Sequence, residues 1–237
     1  MQPSVFFAIP TFTGLLDYKC TGALMAAVGH LTERGISSRT WFMPNLQFVD
    51  VARNFQVTAF LQDCPECTHL FFIDDDVGFP PEKVVEFVLR DEDIVAGVYP
   101  MRKDGPQEYP VMLNFDDYSI VHKLGLLKAQ RVPMGFCCIR RNVIEKLAAE
   151  GDTYVFAHRD ELLKTVFNVF QRGPIDGEYH GEDVLFCMKA IGAGFNIWVD
   201  PDIQFTHRGY KHWAGTFRNA VQATMDKDPR YKVVEAA

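Results

Sequence analysis

The sequence predicts a single α/β domain built on a mixed, mostly parallel sheet that is flanked by helices. Apolar runs typical of strands alternate with segments of helical periodicity over residues 4–100, an arrangement typical of parallel sheets covered on both faces. Residues 109–141 contain two or three further strand-like runs joined by loops, which makes the sheet mixed. No linker interrupts the 237 residues, so we predict one domain.

The individual elements follow from local patterns. Continuous apolar runs bounded by turn residues predict buried strands, and apolar residues at helical spacing predict helices, some of which start at Pro or end at Gly. The predicted strands are 4–10, 39–44, 69–76, 93–100 and 195–207. The predicted helices are 21–35, 51–63, 80–90, 142–151 and 181–194. Residues 152–180 mix both patterns.

The composition is that of an ordinary globular protein, with 48% hydrophobic and 23% charged residues. The chain carries 24 Lys and Arg against 31 Asp and Glu, a net charge of −7, which argues against a protein that coats nucleic acid. The N-terminus lacks a positively charged leader, and no apolar run reaches the ~20 residues of a membrane span. We therefore expect a cytoplasmic protein without a transmembrane segment, while peripheral membrane contact stays open.

The six cysteines are expected to be free thiols, because the sequence shows no secretion signal. Cys64 and Cys67 have the spacing of half a zinc site, but a second pair of ligands at matching spacing is missing. Reduced cysteines near a helix end are the favoured interpretation of this motif, and structural zinc is the alternative.

Three consecutive aspartates, Asp74, Asp75 and Asp76, follow the apolar run of the third predicted strand. The carboxyl ends of parallel strands form the edge of an α/β sheet at which ligands bind. Adjacent carboxylates repel each other, so a cation should lie among them. Mg²⁺ and Mn²⁺ prefer oxygen ligands and often complete their coordination with phosphates and water. We predict a divalent metal here; the alternative is a solvated turn in which an Asp caps the next helix.

A second acidic cluster, Glu182 and Asp183, starts the last predicted helix. A carboxylate at this position would act as a general base or orient an acceptor, provided that it lies near the metal. The alternative is that both side chains only complement the helix dipole, which favours acidic residues in a first turn.

Basic residues follow two of the predicted strands. His207 ends the last of these strands, and Arg208 and Lys211 follow it. Histidine is a common ligand of transition metals, and Arg and Lys suit a diphosphate. The alternative is a basic surface loop. Arg102 and Lys103 come after the fourth strand, and they would either contact a ligand or form a solvated turn.

In their order along the chain, these motifs resemble those of the GT-A fold glycosyltransferases, which use nucleotide sugars as donors. "FFIDDDV" resembles their DxD motif, with Asp74 and Asp76 at its two flanking positions. "GEDVLF" resembles the later motif that opens a helix, with Asp183 in the position of the base. "FTHRG" resembles the strand end whose histidine, His207 in this chain, completes the metal shell, and "VPMGFCCIRR" resembles the small-residue segment before a helix.

Two stretches near the donor edge extend the resemblance, which spans about residues 4–213. "IPTFTG", with Pro10, Thr11 and Thr13, lies where family members bind the nucleotide base. "ARN" is similar to a donor-side segment of several branches and supplies Arg53. One departure is that "IPTFTGLLD" lacks the Pro-x-Tyr/Phe-Asn pattern of the largest inverting branch.

The resemblance implies a GT-A type fold, similar to the Rossmann fold, and a metal-dependent glycosyltransferase. The enzyme would move a sugar from a nucleotide-sugar donor, with UDP-sugars favoured, to a hydroxyl group of a glycan or glycoconjugate, with inversion favoured over retention. The implied ligands of the metal, Mn²⁺ or Mg²⁺, are Asp74, Asp76 and His207. The implied donor contacts are Pro10, Thr11, Thr13, Arg53, Asp74, Asp75, Arg208 and Lys211. The implied catalytic residues are Asp183 and Glu182.

The resemblance also divides the domain, 1–237, into a nucleotide-sugar-binding half (1–104), an acceptor-side half (105–215) and a C-terminal tail (216–237). Residues 152–180 would belong to the acceptor side or form a packing insertion. The alternative functions are a nucleotidyltransferase on a similar fold and a catalytically inactive sugar-nucleotide-binding protein. A phosphatase of the haloacid dehalogenase type is disfavoured, because its Asp-x-Asp strand opens the domain, whereas two strand–helix units come first in this chain.

Overall fold

The computed structural model describes residues 2–116, 118–156 and 164–236. Residues 157–163, part of the segment with a predicted acceptor-side or packing role, lie outside the described residues. The helices of the described ranges are α1 (Tyr18–Glu33), α2 (Val49–Asp63), α3 (Glu82–Leu89), α4 (Arg141–Glu150), α5 (Glu182–Gly192) and α6 (Phe217–Lys227). The strands are β1 (Ser4–Thr11), β2 (Ser37–Pro44), β3 (His69–Ile73), β4 (Val77–Gly78), β5 (Ile94–Gly97), β6 (Met112–Leu113), β7 (Phe115–Asp116), β8 (Ser119–Lys123), β9 (Leu126–Arg131), β10 (Phe136–Arg140), β11 (Thr153–Phe156), β12 (Lys164–Phe167), β13 (Gly173–Ile175), β14 (Glu178–His180), β15 (Ile197–Asp200), β16 (Phe205–Arg208), β17 (His212–Gly215) and β18 (Lys232–Glu235).

A large mixed sheet forms the centre of the molecule. In the described part of the chain its strands follow the order β18-β8-β9-β15-β5-β10-β3-β1-β2, with β6 attached to β9 and β7 attached to β8. Seven of the nine strands on this path run in one direction, and β9 and β10 run against them. The predicted α/β fold with a mixed, mostly parallel sheet and flanking helices is therefore confirmed.

Two apolar cores cover the two faces of this sheet. Because side chains alternate along a strand, Phe6 and Ala8 of β1 belong to one core, while Phe7 and Ile9 belong to the other. The first core includes side chains of α2, α4, α5 and α6, and the second includes those of α1 and α3. Phe136 of β10 makes ring contacts with Phe71 of β3, Phe87 of α3 and Phe205 of β16, so aromatic packing fixes β3 on the face covered by the second core.

The second half of the chain contains more and shorter strands than predicted. The predicted strand 195–207 is two strands, since the chain turns after β15, where the Asp200 carboxylate accepts a hydrogen bond from the Asp202 N–H at 3.0 Å. Pro201 at this turn has no N–H with which to continue a strand ladder. β16 then leaves the central sheet and pairs with β17 and β4 in a small separate sheet. The described part of residues 109–141, which leaves out residue 117, forms five short strands, β6 to β10, where two or three were predicted.

The residues predicted as a C-terminal tail, 216–237, form α6 and β18 over their described part. β18 pairs in parallel with β8 at the edge of the central sheet, with Lys232 opposite Ser119. Among the described residues, a search for a helix with the length and apolarity of a membrane span found none.

Cys64 and Cys67 form a disulfide, so the expectation of free thiols is wrong for this pair. The turn after α2 brings their Cα atoms to 5.5 Å, which is within the range that a disulfide needs. Arg141 stabilises the same turn, because its guanidinium donates to the carbonyl groups of Cys64, Cys67 and Phe60. The other four cysteines are free, as predicted, and the structure places all four in the interior.

Candidate active site

The three aspartates lie at the carboxyl end of β3, in the turn that leads into β4. β4 pairs antiparallel with β16, with Val77 opposite His207. The N–H of Arg208 donates to the carbonyl oxygen of Asp76 at 2.9 Å, which extends this pairing to the aspartate turn. The small sheet therefore joins two segments that are far apart in the sequence, and it brings the predicted histidine to the predicted acidic motif.

The carboxylate of Asp74 points into a buried network. Its Oδ1 accepts from Arg53 at 3.0 Å, and its Oδ2 accepts from the Tyr99 hydroxyl at 3.2 Å. The second nitrogen of the Arg53 guanidinium donates to Glu182 at 2.7 Å. Arg53, 3% exposed, thus links the aspartate turn to the start of α5. A Cβ on Gly135 would lie 2.4 Å from both the Asp74 and the Tyr99 oxygens, so this position needs glycine.

Burial and charge act in opposite directions within this network. Burial by itself lowers the pKa of Arg53, but Asp74 and Glu182 outweigh it, so the pKa is raised and the guanidinium stays charged. Burial raises the pKa of Glu182, although Arg53 opposes the shift. Burial, followed by the charge of Asp74, raises the pKa of Tyr99 well above its ordinary value, so the phenol keeps the proton that it donates.

Asp76 and His207 form a second, more exposed cluster with Arg102. The Oδ1 of Asp76 lies 3.6 Å from the Nε2 of His207, and the Oδ2 of Asp76 forms an ion pair with Arg102. Arg102 also donates from its Nε to the Nε2 of His207 at 3.0 Å. The Nδ1 of His207 lies 2.8 Å from the carbonyl oxygen of Pro100, which can only accept. The Nδ1 therefore carries the proton, and the Nε2 lone pair faces the cation.

The protonation of His207 agrees with this geometry. Burial lowers the pKa of His207, and the positive charge of Arg102 lowers it further, while the hydrogen bond to Pro100 opposes the shift. The imidazole is consequently neutral at pH 7, which is the form in which histidine binds metals.

Asp75, the middle aspartate, faces the end of β1. Burial raises the pKa of its carboxyl group, while the neighbouring Thr11 hydroxyl opposes the shift. The carbonyl oxygen of Asp75 accepts from the N–H of Asp17 at 2.8 Å. Of the other residues predicted on this side, Pro10 is half-buried and Thr13 is exposed. Asp75 and the β1 end therefore form one polar corner beside the other two clusters.

The basic residues after β16 are held by acidic partners. Arg208 and His212 approach the same carboxylate oxygen of Asp17, at 3.7 and 3.3 Å. Asp17 is buried at the start of α1, where its other oxygen caps the helix by accepting from the N–H of Lys19 at 2.9 Å. Lys211 forms an ion pair with the exposed Asp104. Each of these three side chains therefore has a carboxylate partner.

Asp183 lies in the first turn of α5 and is half-buried. Its carboxylate accepts from the N–H of Val184 at 2.7 Å, and the structure assigns it no ion pair within the described residues. Its neighbour Glu182 is bound to Arg53 instead. The two acidic residues of this motif therefore differ: Glu182 is engaged in the buried network, and Asp183 forms no ion pair among the described residues.

The three predicted metal ligands do not converge on one point. Within the described ranges, the one group of three His, Cys, Asp or Glu side chains whose ligand atoms all lie within 4.8 Å of one another is Cys64, Glu66 and Cys67, two of which form the disulfide. Asp76 and His207 do fit a bound cation, because both already face the guanidinium of Arg102. A carboxylate and a neutral imidazole are a donor set that suits a divalent transition-metal ion.

Sequence reasoning missed two contributors to this site, Asp17 and Tyr99. An Asp directly before a helical pattern is a signal for Asp17, since aspartate is a preferred N-cap residue. Tyr99 carries no such signal, because its role depends on a contact with Asp74. Gly135 belongs to the small-residue segment "VPMGFCCIRR", but its contact with Asp74 was not predicted.

Comparisons with known proteins add little to this geometry. No family model matches the sequence, and no curated protein matches it either. Among solved structures, the chain is similar to the crystal structure of a glycosyltransferase involved in the glycosylation of the major capsid of PBCV-1, with 10% identity and a TM-score of 0.35. The similarity covers 61% of this chain and 63% of that one, so the chain spans less than two thirds of that structure's length. These values are too low for that protein's activity to be transferred to this chain.

Proposed function

We propose that this protein is a glycosyltransferase that moves a sugar from a nucleotide-sugar donor to a hydroxyl group of an acceptor. The observation that carries the proposal is the meeting of Asp76 and His207 at the carboxyl end of β3, with the imidazole lone pair 3.6 Å from the carboxylate oxygen. A sugar nucleotide loses a diphosphate, which leaves readily only when its charge is neutralised. A carboxylate and an imidazole that both face a cation, with basic residues beside them, suit that task.

Asp76 and His207 would hold the divalent metal, for which we propose Mn²⁺ ahead of Mg²⁺ because imidazole is one of the ligands. A metal bound there would supply Lewis-acid stabilisation of the diphosphate leaving group. Asp74 is bound to Arg53 and Tyr99, so we propose that it shapes the turn and reaches the donor or the metal only indirectly.

The donor would lie across the corner formed by the end of β1 and the basic residues after β16. Asp75, Thr11, Thr13 and the neighbouring Pro10 would contact the nucleoside, for which we propose uridine. Arg208 and Lys211, whose side chains are 52% and 48% exposed, can exchange their carboxylate partners for the diphosphate. A fork-shaped guanidinium and an ammonium are the usual cations for such a ligand.

Asp183 would take the proton from the acceptor hydroxyl group in an inverting reaction. Glu182 is bound to Arg53 and would therefore position the start of α5. Since Arg53 also binds Asp74, the same side chain fixes the relative placement of the base and the donor turn. We propose a glycan or glycoconjugate as the acceptor.

The test is an assay of purified protein with a panel of UDP-, GDP- and dTDP-sugars, with and without Mn²⁺, in which release of the nucleoside diphosphate and the anomeric configuration of the product are measured. We expect turnover with Mn²⁺ and a loss of roughly 10²- to 10⁴-fold in kcat for Asp183→Asn, the range for a general base. Turnover of nucleoside triphosphates with sugar phosphates would identify a nucleotidyltransferase instead. Sugar-nucleotide binding without any turnover would identify an inactive binding protein.

A further inference from the structure

Arg102 occupies the position of a cation in the candidate metal site. Its Nη2 pairs with the carboxylate of Asp76, and its Nε donates to the lone pair of His207. A lone pair on one imidazole nitrogen can bind one partner at a time, so His207 cannot bind a metal ion while it accepts from Arg102. The guanidinium and the metal therefore compete for the same two side chains.

The segment that carries Arg102 is a surface strap, which we define as residues 101–108. The strap is closed on itself, because the N–H of Met101 donates to the carbonyl oxygen of Glu108 at 2.8 Å. It is also bound to the basic loop after β16: one carboxylate oxygen of Asp104 pairs with Lys211, and the other accepts from the Tyr210 hydroxyl at 2.6 Å. The strap and the loop that would hold the diphosphate are thus connected by charged contacts at the surface.

The strap also fits closely against the basic loop. A Cβ placed on Gly209 would lie 3.2 Å from the Cδ of Arg102 and 2.6 Å from the ring of Trp213. The side chain of Arg102 nevertheless remains 45% exposed, so its release needs no opening of the core. Ion pairs of this exposure contribute little free energy and exchange readily with solution ions.

We infer that Arg102 is a built-in competitor of the divalent cation: it holds Asp76 and His207 when no donor is bound, and the metal must displace it. This inference rests on the proposed function, because it assigns the metal to that same site. Once displaced, Arg102 adjoins the place of the donor diphosphate, which it can bind as a second cation. Arg102 would then lower the affinity of the protein for the metal ion alone. It would raise the affinity of the protein for the metal ion when a nucleotide is bound with it.

The test measures Mn²⁺ binding by electron paramagnetic resonance, without any nucleotide, in the wild type, Arg102→Ala and the matched control Lys103→Ala. Lys103 lies in the same strap and pairs with the exposed Glu108. We expect Arg102→Ala to bind Mn²⁺ roughly fivefold more tightly, as the loss of one half-exposed ion pair predicts, and Lys103→Ala to match the wild type. In the presence of UDP, we expect Arg102→Ala to lose this advantage.

Unchanged or weaker Mn²⁺ binding by Arg102→Ala, with a normal circular dichroism spectrum, would overturn the inference. Asp76→Ala in the Arg102→Ala background should abolish the gain, and a gain that persists would show that the ion binds elsewhere. The proposed function is judged separately by sugar-nucleotide turnover. A tighter Mn²⁺ site in a protein that turns over no sugar nucleotide would support the competition and reject the glycosyltransferase.

Discussion

Two arginines hold two aspartates of the same turn, and the two pairs differ in burial. Arg53 is 3% exposed and donates to Asp74 inside the protein, where the pair also includes Glu182. Arg102 holds Asp76 at the surface, with its side chain 45% exposed. The difference lies in the guanidinium groups, because the Asp74 and Asp76 side chains are 26% and 21% exposed. Solvent does not reach the buried Arg53, whereas ions from solution can replace the exposed Arg102. We therefore propose that the buried pair fixes the turn and that the exposed pair is where a cation from solution binds.

This difference distinguishes Asp74 from Asp76. Asp74 anchors the end of β3 to α5 through Arg53, and Asp76 forms an exposed ion pair beside His207. We propose that Asp74 serves stability and that Asp76 serves ligand binding.

The largest expected effect is on the free energy of unfolding, when methionine replaces the arginine of each ion pair in turn. Arg53→Met removes a buried cation and leaves Asp74 and Glu182 without their shared partner, so we expect the free energy of unfolding to fall by about 3–5 kcal/mol. Arg102→Met removes a surface partner, and we expect a change within about 1 kcal/mol. Urea denaturation followed by circular dichroism measures both values. Equal losses in the two variants would contradict the division of tasks.

A smaller effect is expected from overpacking the buried network. Gly135→Ala places a Cβ against the oxygens of Asp74 and Tyr99, and we expect it to destabilise the protein by roughly 1–3 kcal/mol. Gly22→Ala is the matched control, because no atom lies within 4 Å of its Cβ and it is within α1, where alanine is favoured. Thermal unfolding of both variants provides the comparison. A Gly135→Ala variant as stable as Gly22→Ala would show that the network has room to move.

The smallest effect is a pH dependence at Asp75. Burial raises the pKa of Asp75, so ionisation of its carboxyl group opposes folding. The wild type therefore loses stability as pH rises from the unfolded-state pKa to the folded-state pKa of this group. Asp75→Asn removes that ionisation, so its stability relative to the wild type should increase with pH above the ordinary aspartate value of ~3.9 and then level off. We expect less than about 1 kcal/mol, since solvent screens a half-buried charge.

Urea denaturation over a pH series measures this difference, with Asp226→Asn as the control at an exposed position of α6. A relative stability that falls with pH would mean that the Asp75 carboxylate is stabilised by its surroundings, contrary to the sign given above.

The fold and the position of the site were accessible from the sequence because they depend on local patterns. The apolar run of β3 ends abruptly in three carboxylates, and the carboxyl end of a parallel strand is where ligands bind. His207 was indicated by its place at a strand end, and the structure places its Nε2 3.6 Å from Asp76. The turn at Pro201 was missed although Asp200, Pro201 and Asp202 interrupt the apolar pattern, and a proline within a run argues against one continuous strand.

The partners within the site were not accessible from local patterns. Arg53 was predicted to contact the sugar-nucleotide donor, yet its guanidinium donates to the carboxylates of Asp74 and Glu182. Glu182 is 129 positions from Arg53 in the sequence. No sequence periodicity predicts a contact between residues so far apart, because the order of the strands in the sheet determines which strand ends lie next to each other. Arg102 had two open interpretations, a ligand contact or a solvated turn, and in the structure it pairs with Asp76 itself.

The central claim is that Asp76 and His207 form a metal site for a nucleotide-sugar donor. Isothermal titration calorimetry of UDP-sugars tests it most directly, with and without Mn²⁺, in the wild type, Asp76→Ala, His207→Ala and the surface control Asp226→Ala. We predict that the wild type and the control bind a donor in a Mn²⁺-dependent manner, and that Asp76→Ala and His207→Ala lose this binding while they keep their folded circular dichroism spectra. Donor binding that is independent of Mn²⁺, or that survives both substitutions unchanged, would contradict the account.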